Sequence, residues 1–169
     1  STSGRTTTSA RSWTRPPATH TRFAEFVKRF APRGQTATHA AFLAFRREDD
    51  AIVGTFNFSE IVRGAFRSTY LGYYAFAPHA GRGYMTEGMA LALDTAFGPL
   101  ALHRVEVNIQ PANARSLALA QRVGFTREGF SRRYVKIRGR WRDHVRYALL
   151  VEDWRAAKRR AGRAQGDAR

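Results

Sequence analysis

The chain has 169 residues and a mass of 19.1 kDa, the size of one domain with short ends rather than of a two-domain enzyme. Apolar residues make up 43% and aromatic residues 12%, enough for a core that buries roughly 70% of the unfolded chain's surface, which excludes wholesale disorder. The lack of cysteine excludes disulfide scaffolds, zinc knuckles, iron-sulfur sites and thiol nucleophiles.

No apolar run approaches the roughly 20 residues that cross a bilayer, and polar Ser1 to Arg15 does not read as a signal peptide, so a soluble, cytoplasmic protein is expected. The net charge of +16 sits largely at the ends: residues 1–33 hold +6, residues 155–169 hold +5, and the 121 residues between them hold +5. Lysine occurs only at positions 28, 136 and 158, so the charge is carried by arginine. Such a pattern reads as solvated basic ends on a mildly basic body, with an anionic partner as a secondary expectation.

Residues 1–17 are rich in Ser, Thr, Arg and Pro without periodicity and read as a polar N-terminal segment. Phe23, Phe26, Val27 and Phe30 share one helical face, predicting a helix over Thr19–Phe30 that Pro32 and Gly34 stop. Three β segments follow, His39–Arg46, Ala51–Phe58 and Gly64–Phe76, joined by turns at Arg47–Asp50 and Glu60–Gly64 into an antiparallel meander. At Thr86 the period changes: Met89, Ala92, Leu93 and Ala96 form a helical stripe that Gly98-Pro99 ends. Leu102–Ile109 alternates as a strand, and Asn113–Val123 reads as a short helix stopped by Gly124. Two strands come last, Tyr134–Trp141 and Val145–Val151. In the first, Val135, Ile137 and Trp141 share one face and Lys136, Arg138 and Arg140 the other, solvent-facing one. A short terminal helix begins near Asp153, so the domain is expected to span 18–154, with a basic tail over 155–169.

The most informative junction is Ala80-Gly81-Arg82-Gly83-Tyr84-Met85-Thr86-Glu87. A glycine-rich turn opening a helix presents backbone N–H groups at the positive end of the helix dipole, which suits a phosphate or pyrophosphate; a tight turn with no ligand is the plainer reading. A P-loop would need Gly-Lys-Ser/Thr, and no lysine stands here. A Rossmann fingerprint would have a third glycine at Thr86, and the preceding strands form hairpins rather than a βαβ opening, although Glu106 lies near the distance of a ribose-binding acid.

Seven segments in order carry a more specific resemblance. They are Gly54–Gly64, Tyr70-Leu71-Gly72-Tyr73, Gly81–Glu87, His103-Arg104-Val105, Asn113–Ser116, Gly124–Gly129 and Trp141–Val145. Together they resemble the GNAT acetyltransferases, in the branch that acetylates ribosomal proteins at an N-terminal alanine or serine, over about Ala40 to Trp154. The resemblance implies a single mixed α/β (α+β) domain: a strongly twisted mixed sheet with an antiparallel meander, a glycine-loop helix, and central strands ending near Phe76 and Ile109 that splay apart. It implies acetyl-CoA as cosubstrate and no metal, with cofactor contacts at Ala75, Phe76, Gly81, Arg82, Gly83, Tyr84, Met85, Thr86 and Asn113. Ala80 stands where the family usually has Gln or Arg, and Met85 where it has Gly or Ala. The family also has a strand and a helix before the counterpart of Trp13, where this chain has twelve residues; those early elements help wall the acceptor groove.

The implied acceptor is the α-amine of a ribosomal or other protein, with a ribosome or RNA association through the basic ends. A small amine such as an antibiotic or polyamine, and a non-catalytic RNA-associated domain, are the alternatives. A free α-amine has a pKa of about 7.7–8.0, so a modest base suffices. Glu106 is the leading base, with Glu60 and Asp143 as rivals; Glu106 paired with Arg104 or Arg122, or Asp143 fixing a turn, are the structural alternatives. The family's proton-donating tyrosine falls at Ala120; the resemblance to the ribosomal-protein branch implies Ser116, one turn earlier, as the donor to the departing thiolate, with a helix-capping or solvent residue as the structural alternative. The histidines at 20, 39, 79, 103 and 144 lack metal-ligand spacing, and no Gly-x-Ser-x-Gly elbow accompanies a triad.

Overall fold

The computed structural model describes residues 38–46, 48–79 and 81–166. The polar segment 1–17 and the helix expected at Thr19–Phe30 lie outside them. In chain order the elements are β1 (Ala40–Phe45), β2 (Ile52–Val62), β3 (Ser68–Ala75), α1 (Tyr84–Phe97), β4 (Arg104–Ile109), α2 (Ala114–Val123), β5 (Thr126–Ile137), β6 (Arg140–Leu150) and α3 (Val151–Gly166). The six strands form one mixed sheet in the order β1-β2-β3-β4-β6-β5, as expected for a mixed α/β domain.

The meander β1-β2-β3 is antiparallel, and β4 pairs antiparallel with β6, which pairs antiparallel with β5. Among the described strands only β3 and β4 run parallel, joined through α1 as their crossover. Their ladder has three pairs, Ser68↔Arg104, Thr69↔Val105 and Tyr70↔Glu106. Beyond Tyr70 the two strands diverge, which is the splay the sequence led us to expect.

Alternation sets the two faces of the sheet. Val105, Val107 and Ile109 of β4 are buried on the face that receives α1 and α2, while Arg104, Glu106 and Asn108 project from the opposite face. On α1 the whole predicted stripe, Met89, Ala92, Leu93 and Ala96, is buried in this core with Phe56 and Phe58 of β2. The approach is close: a Cβ on Gly88 would lie 2.6 Å from the Phe56 ring. Gly98 donates its N–H to Asp94 O and ends α1, and Gly124, at φ 107, ends α2. The indole of Trp154 and the Lys158 ammonium both donate to the Asp94 carboxylate and tie α3 to α1.

Four expectations need correction. Strand β2 runs on to Val62, because Glu60, at φ 50, forms a bulge between Ser59 and Val62 instead of opening the turn. The turn then follows at Arg63–Arg67. Helix α1 starts at Tyr84, two residues before Thr86. Tyr134–Trp141 is not one strand: it contains the hairpin turn Arg138-Gly139 between β5 and β6. The reversal places Trp141 opposite Lys136 and Arg140 opposite Ile137, so Trp141 shares the face of Lys136 rather than that of Val135. The cations of this hairpin are nonetheless exposed. Lastly, the terminal helix begins at Val151 and spans 16 residues, so the basic segment from Arg155 is helical through Gly166. Among the described residues no helix is long and apolar enough to cross a membrane.

Candidate active site

A cleft of about 600 Å³ opens where β3 leaves β4, between the loop before α1 and the first turns of α2. The loop turns on Gly81 and Gly83, at φ 80 and 84, in the left-handed region where glycine carries no Cβ penalty. Gly83 is the N-cap of α1 and supplies no side-chain acceptor. Thr86 N–H and Glu87 N–H both donate to Gly83 O. The earlier N–H groups of the loop and first turn lie in the positive field of the helix end. The Thr86 N–H is engaged within the helix, and Thr86 lines the cleft.

Gly81, Gly83, Met85 and Thr86 line the cleft with Ala75 and Asn113. Arg82, Tyr84 and Phe76 are not among its walls. Arg82 is exposed. The Tyr84 ring stands edge-on to His79, and Phe76 packs against Tyr74 while giving its N–H to Val53 O. Met85, at the usual glycine or alanine position, is accommodated by a vacancy on β2: a Cβ on Gly54 would lie 2.4 Å from Met85 Sδ.

Helix α2 forms the facing wall. Asn113 is its N-cap, and its Oδ1 accepts the Ser116 N–H at 3.2 Å. Capping thus falls to the Asn113 side chain and not to the Ser116 hydroxyl. Ser116 lines the cleft, its carbonyl held at 3.0 Å by the hydroxyl of Tyr73. Burial pushes the Tyr73 phenol up to about 12, so it stays protonated. Ala120 is fully buried in the core and has no access to the cleft.

Arg115 and Arg122 also line the cleft, and Arg122 Nη1 donates to Thr86 Oγ1 at 3.4 Å. Sequence reasoning did not single out either arginine, although their spacing of seven residues sets them on one face of a helix. Tyr73 was missed as well; nothing local marked it, since its role depends on β3 meeting α2.

Glu106 lies on the opposite face of the sheet, at the last β3–β4 pair. Its Oε1 accepts from Arg104 Nε at 2.8 Å, so its partner is Arg104 and not Arg122. Arg104 also pairs with Glu128, whose carboxyl it holds below the ordinary range. Glu106, Tyr70 and Glu60 border a second hollow of about 290 Å³ on this face. The Tyr70 hydroxyl is pushed up to about 12 by the neighbouring Tyr134 hydroxyl and by burial. Asp143 plays the structural part: its Oδ1 accepts the N–H of Arg133 at 2.7 Å within a wide bulge of β5 between Ser131 and Val135. Ser116 and Glu106 thus flank the splay from its two sides.

An uncapped helix start, two left-handed glycines and two arginines fit the diphosphate of a coenzyme A. Among the described residues the β4 side of β3 has no strand partner along Leu71–Ala75, which fits the paired amides of a pantetheine arm. Comparison with known proteins agrees with this fit. The acetyltransferase (GNAT) domain matches residues 4–126, and the chain belongs to that family. The [Ribosomal protein uS5]-alanine N-acetyltransferase of Escherichia coli (strain K12) is 40% identical over 113 residues, 67% of this chain and 58% of its own. The structure of Mycobacterium smegmatis RimJ in complex with CoA-disulfide matches with a TM-score of 0.68 at 30% identity, covering 78% of this chain and 62% of that one. A variant of the spermidine N-acetyltransferase SpeG from Vibrio cholerae shares the fold, with a TM-score of 0.64 at 23% identity over 78% of this chain and 77% of that one. The chain spans about three fifths of the length of the curated relatives it matches.

Proposed function

We propose that this protein transfers the acetyl group of acetyl-CoA to the α-amine of a protein N-terminus, a ribosomal protein beginning with Ala or Ser being the acceptor its relatives suggest. The observation that carries the reading is the cleft beside the free part of β3, lined by Gly81, Gly83 and Met85 on one wall and by Asn113, Arg115, Ser116 and Arg122 on the other. Acetyl-CoA supplies an activated thioester carbonyl. The first-turn N–H groups of α1 with Arg115 and Arg122 bind its diphosphate, and the unpaired edge of β3 orients the pantetheine amides. Holding the two reactants together supplies much of the rate. In the transfer a carbon–nitrogen bond forms and a carbon–sulfur bond breaks. Glu106 takes the proton the amine gives up. Ser116 donates a proton to the departing sulfur and is reprotonated through water by the proton that Glu106 took from the amine, which restores both groups.

An acceptor of this kind places the reaction in the cytoplasm, and the basic ends add a salt-sensitive attraction for ribosomes. Thermal denaturation with CoA tests the cofactor half. A ligand at 100 times its dissociation constant stabilises by about 2.7 kcal/mol, so CoA should raise the melting temperature by several degrees and NAD should not. A shift with NAD alone would reverse the choice of cofactor.

A further inference from the structure

Asn108 of β4 and Arg146 of β6 stand directly opposite each other in the ladder. Their chain neighbours Val107, Ile109, Val145 and Tyr147 are buried in the core, so both side chains occupy the face away from the helices. Among the described residues each carries a buried polar atom with no hydrogen-bond partner, Asn108 Oδ1 and Arg146 Nε. A buried acceptor or donor left unmade is costly, and here one of each lies side by side without pairing. The reason is visible on β5: the guanidinium leans over Gly129, where a Cβ would lie 3.0 Å from Arg146 Nη2.

The place matters as much as the orphaned atoms. Asn108 lies two residues beyond Glu106, the last partner of β3, on the same face and therefore at the opening of the splay. Continuing that register sets Gly72 across the gap, with no side chain to block it. Tyr70 of β3 and Glu106 of β4 border the hollow on this same face, and β4 and β6, which carry Asn108 and Arg146, are neighbours in the sheet.

We propose that Asn108 and Arg146 read the first peptide unit of the acceptor, Asn108 Oδ1 accepting from the α-amine and the Arg146 guanidinium donating to the first carbonyl oxygen. A protein N-terminus offers this pattern, an N–H donor with a carbonyl acceptor three bonds away. A polyamine carries donors alone at neutral pH and gives arginine, which has no acceptor, only like charge. The pair therefore selects peptide α-amines over polyamines. This rests on the acetyl-transfer reading above and deepens it to a specificity determinant.

The test is calorimetric titration of the CoA-saturated protein with two probes: a short peptide beginning with alanine, and its isostere in which a carbon–carbon double bond replaces the first peptide bond. The wild type should bind the peptide about tenfold more tightly, the scale of one hydrogen bond to a charged group. Arg146→Met should weaken the peptide to the level of the isostere without moving the isostere, and Asn108→Leu should weaken both. CoA affinity and melting temperature report whether each variant is folded, and Arg146→Leu, which likewise removes every donor, decides the same question if the Met variant is not. Equal binding of the two probes by the wild type, or a tenfold preference that survives in the arginine variants, overturns the assignment while acetyl transfer stands. A wild type that acetylates no amine at all overturns the functional reading, and this inference with it.

Discussion

Ser116 and Asn113 sit one helical turn apart, yet the structure divides their work. Asn113 Oδ1 caps α2 through the Ser116 N–H, so Asn113→Ala should cost about 1 kcal/mol of stability. Ser116→Ala leaves that cap intact and should melt as the wild type does, with CoA affinity unchanged and kcat lowered about 10²-fold if the hydroxyl protonates the leaving sulfur. Melting curves and turnover on the two variants check both statements; unchanged turnover in Ser116→Ala would leave the residue structural. The residue types at the site were legible because a cap, a glycine turn and a strand acid have local signatures. Arg115, Arg122 and Tyr73 were not, because each acquires its role from a neighbour distant in sequence.

Asp94 offers a second residue-level test. Burial alone would raise its carboxyl, but the bonds from Lys158 and Trp154 outweigh that and hold it below the ordinary value. A carboxyl lowered in the folded state contributes stability above its unfolded pKa and loses it as pH falls through the folded one. Asp94→Asn should therefore melt below the wild type at neutral pH, and the gap should close in acid. A gap independent of pH would show that the link between α1 and α3 is not ionic.

At the scale of elements, two glycines separate packing from binding. Gly88→Ala pushes a Cβ into the Phe56 ring beneath α1 and should cost about 1–3 kcal/mol, as overpacking does, with CoA affinity kept. Gly54→Ala meets Met85 Sδ at 2.4 Å and the Tyr74 carbonyl at 2.9 Å, so it should lose stability and also weaken CoA by displacing the loop. Denaturant titration and CoA binding on the pair distinguish the two; equal CoA affinities would detach Met85 from the cofactor site. The elements themselves were readable where the period was clean, as along the Met89 to Ala96 stripe. The β5–β6 turn was not, because a two-residue turn needs positive φ at both central positions and favours Asn-Gly. Here Arg138, at φ 49, takes the first of them, and the alternation of Arg with apolar residues runs through the reversal without a break. The bulge at Glu60 was hidden in the same way, by a residue that rarely adopts positive φ.

At the scale of the described fold, a cleft with arginines and the start of α1 lies on one face of the sheet, a carboxylate, tyrosines and an asparagine on the other, and β3 and β4 cease to pair between them beyond Tyr70. The order of meander, glycine loop, helix and strand led to the expected splay of β3 from β4, whereas the face each side chain takes depended on register. The measurement that tests the proposed transfer most directly is CoA release from acetyl-CoA in the presence of a peptide beginning with a free alanine or serine amine, beside the same peptide blocked at that amine. Release with the free peptide, none with the blocked one, and loss of release in Glu106→Gln with CoA binding retained are the expected results. Equal release with the blocked peptide, or none with any amine while CoA binds normally, would contradict the account.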